Sequence, residues 1–129
     1  MSKSQRREYN TRTYKGHFSL PAMLLAHDDM KRLSARALKL LIDLGSQFNG
    51  RNNGDLCAAL TLMKSRGWNS NDQLHKAKKE LIERDLIVQT KQGGLGIGPN
   101  LYAITWQPIH ECGGKLDIPS SLLASRKLD

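Results

Sequence analysis

The residue pattern predicts a small, mainly α domain closed by a β-hairpin, an α+β chain. Three observations carry that expectation. Apolar residues recur at helical spacing in three successive segments: Ala35, Leu38, Leu41, Ile42 and Leu44; Leu60, Leu62 and Met63; and Leu74, Ala77, Leu81 and Ile82. Gly67 stands between the second and third segments, where a helix that ends in a left-handed residue is followed closely by another. After Asp85 the pattern becomes strand-like, with residues 86–92 and 101–106 flanking the glycine-rich stretch 93–100.

Taken in order, residues 1–16 are polar, basic and without periodicity, and predict a flexible basic arm. Residues 17–27 predict an extra short N-terminal helix, with Pro21 in its first turn and Asp28-Asp29 closing it. Ser34 is the expected N-cap of a buried central helix running to about Phe48, with Arg36, Lys39 and Asp43 on its wet side. Residues 49–55 are rich in Asn and Gly and predict a loop. Leu56 and Cys57 form a brief strand or enter the next helix. Residues 58–66 predict a helix of about two turns that ends at Gly67, with Trp68 plugging the angle to its successor. Ser70 then caps the next helix, with Gln73 placed to reach back as in a capping box. Its apolar side is expected to pack on the core. Its other side shows Asn71, Asp72, His75, Lys76, Lys79 and Glu83. In the second strand, Leu101, Ala103 and Thr105 share one face and Tyr102, Ile104 and Trp106 the other, and Pro108 ends the hairpin. The chain thus divides into an arm at 1–16, a domain at 17–108 and a tail at 109–129, in which 117–126 suits one short helix.

The formal net charge is +8, which points to a polyanionic partner. Half of that surplus lies in the arm, where Lys3, Arg6, Arg7, Arg12 and Lys15 face only Glu8. Aromatics make up 5% of the chain, too few for a series of base-stacking platforms. No long apolar run predicts a membrane span, and Met1 is followed by polar residues. Cys57 and Cys112 are too few for a disulfide framework, so a reducing, cytoplasmic location is expected.

Helix, short glycine-containing turn, helix, then hairpin is the order of the winged helix-turn-helix family, in which a three-helix core carries a β-hairpin wing. The resemblance covers roughly residues 34–106. It is carried by Leu33-Ser34-Ala35-Arg36-Ala37-Leu38-Lys39-Leu40-Leu41, Asn52-Asn53-Gly54, Arg66-Gly67-Trp68, Ala77-Lys78-Lys79-Glu80-Leu81-Ile82, Leu86-Ile87 and Tyr102-Ala103-Ile104-Thr105-Trp106. In this respect the chain is similar to small winged-helix proteins of prophages and mobile elements, some of them similar to the DNA-binding segments of phage and plasmid replication proteins.

The resemblance implies a double-stranded DNA binder acting in transcription regulation or replication, with the 70–84 helix in the major groove. Ser70, Asn71, Gln73, His75, Lys76 and Lys79 then face the duplex. Asn71 and Gln73 are suited to adenine edges, and Lys76 and Lys79 to phosphate or guanine. Lys64 and Arg66 are expected to grip the backbone from the preceding helix. Lys91 approaches a neighbouring groove, and Arg6, Arg7 and Arg12 track phosphates from the arm. The wing tip departs from the family pattern, since residues 93–100 carry no Arg or Lys and expose Leu95 and Ile97. That keeps an alternative open: a winged-helix adaptor or modulator docking on a host protein or nucleoprotein complex. A homodimer through residues 18–25 or the tail also stays open.

Other motifs carry less. Gly93-Gly94-Leu95-Gly96-Ile97-Gly98 is followed by a strand rather than a helix, and no Walker lysine accompanies it. His17, Cys57, His110 and Cys112 lack metal-ligand spacing, so no metal or cofactor is expected. No nucleophile stands beside a His base, and no catalytic residue is expected.

Overall fold

The computed structural model describes residues 17–126. The arm at 1–16, with Arg6, Arg7 and Arg12, lies outside the described residues. The remainder is an α+β structure of five α-helices and a three-stranded antiparallel sheet. The helices are α1 (Ala22–Leu25), α2 (Asp28–Lys31), α3 (Ala35–Gly45), α4 (Leu60–Met63) and α5 (Asn71–Glu83). The strands are β1 (Leu56–Cys57), β2 (Ile87–Lys91) and β3 (Leu101–Ile104).

The N-terminal region contains two helices where the residue pattern predicts one. The His27 side chain accepts a hydrogen bond from the Asp29 N–H, so Asp28 and Asp29 open α2 instead of closing α1. Acidic residues suit that end, where unpaired N–H groups carry partial positive charge. Ser34 caps α3 as expected, accepting from the Ala37 N–H at 3.1 Å. The buried stripe of α3 is Ala37, Leu40, Leu41 and Leu44. Full burial of each leucine side chain contributes about 1.5–3 kcal/mol. Leu38 and Ile42 lie beside that stripe and are exposed. Asp43, expected on the wet side, is buried at 3% exposure. The helix also stops at Gly45 rather than Phe48. A Cβ on Gly45 would come within 2.5 Å of the Phe18 ring, so the N-terminal segment packs where a side chain would stand.

The Gln47 side chain brackets Cys57, donating to its carbonyl and accepting from its N–H, and so holds β1 in place. The second helical segment is shorter than expected: α4 is one turn and continues as a 3-10 turn over Lys64–Arg66. Gly67 then takes φ +95°, a left-handed conformation that costs a residue without Cβ little. Trp68 is buried in the corner, as its position predicts. Ser70 caps α5 through its hydroxyl, which accepts from the Gln73 N–H at 3.2 Å. Leu74, Ala77 and Leu81 face the core, while Ile82 at the margin is 44% exposed.

The strand order is β1-β3-β2, with Ile87 opposite Ile104 and Leu56 opposite Tyr102. As the central strand, β3 is buried along its whole length, so both of the faces distinguished by alternation are covered. The expected tail helix over 117–126 does not form. After a 3-10 turn at Cys112–Gly114, the tail returns along the body, with hydrogen bonds from Asp117 N–H to the Thr90 carbonyl and from Arg126 N–H to the Thr105 carbonyl. Pro119 lacks a donor, and the Asp117, Ser121 and Arg126 N–H groups are committed to partners distant in sequence, which leaves a helix little to build on.

Candidate functional site

The sequence singles out α5, and three polar contacts determine how it is held. The first is the buried Asp43 carboxylate. Its Oδ2 accepts from Lys39 Nζ and from the Trp68 indole N–H, each at 2.7 Å, and its Oδ1 accepts from Arg66 Nε at 3.0 Å. Burial pushes this carboxyl up, but the hydrogen bonds from Lys39, Trp68 and Arg66 outweigh it and hold the group below its ordinary range. The carboxylate therefore ties α3 to the turn between α4 and α5. The second is Glu80, whose two oxygens accept from the Ser34 N–H and hydroxyl at 2.7 and 2.8 Å, joining the last turn of α5 to the start of α3. The third is Arg126. Its guanidinium donates to the carbonyls of Arg84 and Asp85 at the C-terminal end of α5 and to Asp29 Oδ2 at 2.7 Å. A cation there meets the helix's unpaired carbonyls and partial negative charge. The Arg126 hydrogen bond, aided by its charge and that of Arg84, outweighs burial and holds the Asp29 carboxyl below its ordinary range.

With α5 braced in this way, Asn71, Asp72, His75, Lys76, Lys79 and Glu83 are all exposed. Lys76 meets Asp72 at 3.0 Å, an exposed pair that contributes little to stability, about 0–1 kcal/mol. Among the described residues, neither Lys64 nor Lys79 ends on a carboxylate. These two ammonium groups are presented to solvent.

Four sequence-predicted residues are differently employed. Ser70 is half-buried, with its hydroxyl engaged as the cap. The Gln73 side chain does not reach back to Ser70; its Oε1 accepts from Arg36 Nη1. Arg66 remains exposed, but its guanidinium is paired with Asp43. Lys91 donates to the Lys115 carbonyl at 2.9 Å, because the tail folds back past the end of β2. The expected phosphate grips at Arg66 and Lys91 are thus largely taken up by the fold.

Residue order alone passes over Lys78. It is half-buried and lines two adjoining crevices between α5 and the hairpin. One is bounded by Ala58, Ala59, Gly93, Gly94, Gly98, Pro99, Asn100 and Tyr102. The other is bounded by His75, Lys79, Ile82, Glu83, Gln89, Asn100 and Tyr102. Burial pushes the Tyr102 phenol up, with Asn100 opposing. The signal for Lys78 is its place four residues after Leu74, at the edge of the buried stripe. Arg36 was likewise visible only as a wet residue of α3. Among the described residues, no group of three or more His, Cys, Asp or Glu could hold a metal ion, and no helix is long and apolar enough to cross a membrane. Comparison with protein-family models, with curated proteins and with solved structures found no match.

Proposed function

We propose that this chain is a winged helix-turn-helix protein that binds double-stranded DNA, with α4 and α5 as the helix pair and β2–β3 as the wing. The observation that carries the reading is the outward polar face of α5. Asn71, His75, Lys76 and Lys79 stand together on a helix whose other side is anchored through Leu74, Ala77, Leu81 and Glu80. A rigid helix with short polar groups in its first turns and lysines beside them fits a major groove, where Asn71 reads a base edge and Lys64, Lys78 and Lys79 meet phosphates. The hairpin lies directly beside the second helix of the pair, where Gln89, Asn100 and Tyr102 line a crevice with His75 and Lys79, and that placement supports the winged-helix assignment. The resemblance of the residue pattern to small phage and plasmid proteins supports a role in transcription regulation or replication, without catalysis.

Fluorescence anisotropy with a duplex pool, read across a salt series, tests this. Affinity is expected to fall with salt at a log–log slope of about −0.9 per neutralised phosphate. Asn71→Ala is expected to broaden the selected sequences more than it weakens binding, since a base-reading contact discriminates by about 1–3 kcal/mol. A wild-type protein that binds no duplex at about 50 mM salt would overturn the reading.

A further inference from the structure

The hairpin tip is built unlike the rest of the surface. Residues 93–100 contain no charged side chain. Gly94 and Gly98 close the loop by pairing with each other, Gly94 N–H to Gly98 carbonyl at 3.0 Å and the return bond at 3.2 Å. The Ile97 N–H adds a bond to the Gly94 carbonyl at 3.0 Å. The base of the loop is pinned by the Gly93 N–H donating to Asn100 Oδ1. At the end of this narrow, closed loop Leu95 is fully exposed and Ile97 is 63% exposed. A Cβ at Gly96 or Gly98 would meet nothing within 4 Å, so no neighbouring side chain widens the loop at those positions.

We infer that this tip is an apolar wedge that enters the DNA minor groove, where Leu95 intrudes between base pairs and bends the duplex. The inference rests on the duplex-binding reading above. Four features favour that occupant. The hairpin flanks the polar face of α5, since Asn100 and Tyr102 line one crevice with His75 and Lys79, and Gly93, Gly94 and Gly98 line another with Lys78. A duplex seated on α5 therefore brings its next groove toward the tip. The minor groove is only about 6 Å wide, and a loop with four glycines in six residues carries few side chains to collide with its walls. The tip has no charge of its own to desolvate on entering between bases, while leucine and isoleucine are side chains used to unstack them. Finally, a stable protein–protein contact buries about 800 Å² on each partner, more than two side chains at a narrow tip supply. The absence of Arg and Lys, which weakens the tip as a phosphate grip, is what an unstacking wedge requires.

The experiment uses the full chain and a mixed-sequence duplex rich in TA steps, which unstack readily. The duplex carries 2-aminopurine at those steps and a donor–acceptor dye pair on its ends. Binding is followed by anisotropy in the same samples. Wild type is expected to raise 2-aminopurine emission and shorten the end-to-end distance. Leu95→Ser is expected to abolish both signals while changing affinity by no more than about tenfold, and Leu95→Met to keep them. A wild-type protein that binds without either signal overturns the wedge and leaves duplex binding intact, as do signals that persist in Leu95→Ser. Absence of any binding removes the duplex reading and the wedge together. Self-association that sedimentation finds in wild type and not in Leu95→Ser, with unstacking unaffected, assigns the tip to a second copy and overturns the wedge.

Discussion

Two groups of cations occupy this molecule and do different work. Lys39, Arg66, Arg84 and Arg126 end on the carboxylates of Asp43 and Asp29. Lys64, Lys78 and Lys79 end on none among the described residues. The first group joins segments far apart in sequence, Lys39 by donating also to the Arg66 carbonyl, and the second lies on or beside the exposed side of α4 and α5. A net charge of +8 does not distinguish them. What separates them is whether a partly buried acid lies within reach, which only the folded chain decides. Cations of the first kind act on stability, and those of the second are available to a ligand.

The sharpest way to break this division is to remove the acid that several cations share. Asp43→Ala is expected to lose about 2–4 kcal/mol in urea unfolding, because it leaves the buried Trp68 N–H unpaired and releases Lys39 and Arg66 from the junction of α3 with the α4–α5 turn. A loss below about 1 kcal/mol would show that the corner is held by packing alone. Arg126→Ala is expected to cost about 1–3 kcal/mol, since it strips the Arg84 and Asp85 carbonyls and Asp29 of one donor group. Hydrogen exchange should quicken first at the last turn of α5, and uniform quickening would contradict a local clasp.

Acid supplies the next test. The folded Asp43 carboxyl is held below its ordinary value of 3.8, so its ionised form contributes stability in full above that value. The contribution disappears as pH falls through the lower, folded value. Wild type is therefore expected to lose stability below about pH 4, and Asp43→Asn to lose less over the same interval. Parallel acid curves for the two proteins would remove Asp43 from the account.

The smallest expected effect on the fold is the most informative about use. Lys64→Ala and Lys79→Ala should each change stability by less than about 0.5 kcal/mol. Each should also make the salt slope of duplex binding shallower by about 0.9. A change in unfolding without a change in slope would move these lysines into the first group.

The helices and hairpin were legible because burial imposes a period on the residues. The cap at Ser70, the left-handed Gly67 and the corner position of Trp68 also follow from local chemistry and appear where expected. Apart from the split N-terminal helix, which the local His27 cap explains, the misreadings below share one cause: partners distant in sequence. Asp43 looks solvated until Trp68 and Arg66 arrive beside it. Lys91 looks available until Lys115 returns past the hairpin. The tail looks helical until its N–H groups find Thr90, Ile109 and Thr105. Lys78 does not stand out in the sequence because a lysine next to a buried alanine reads as helix margin, whereas the hairpin turns that margin into a crevice.

The order β1-β3-β2 also has a consequence for synthesis. The middle strand is the last of the three to leave the ribosome, so until residues 101–104 emerge, neither outer strand has its neighbour. The helix pair, by contrast, is complete in sequence by residue 83. A nascent chain halted there would present α5 before the sheet beneath it has closed, and long-range pairing of that kind is the slower part of folding.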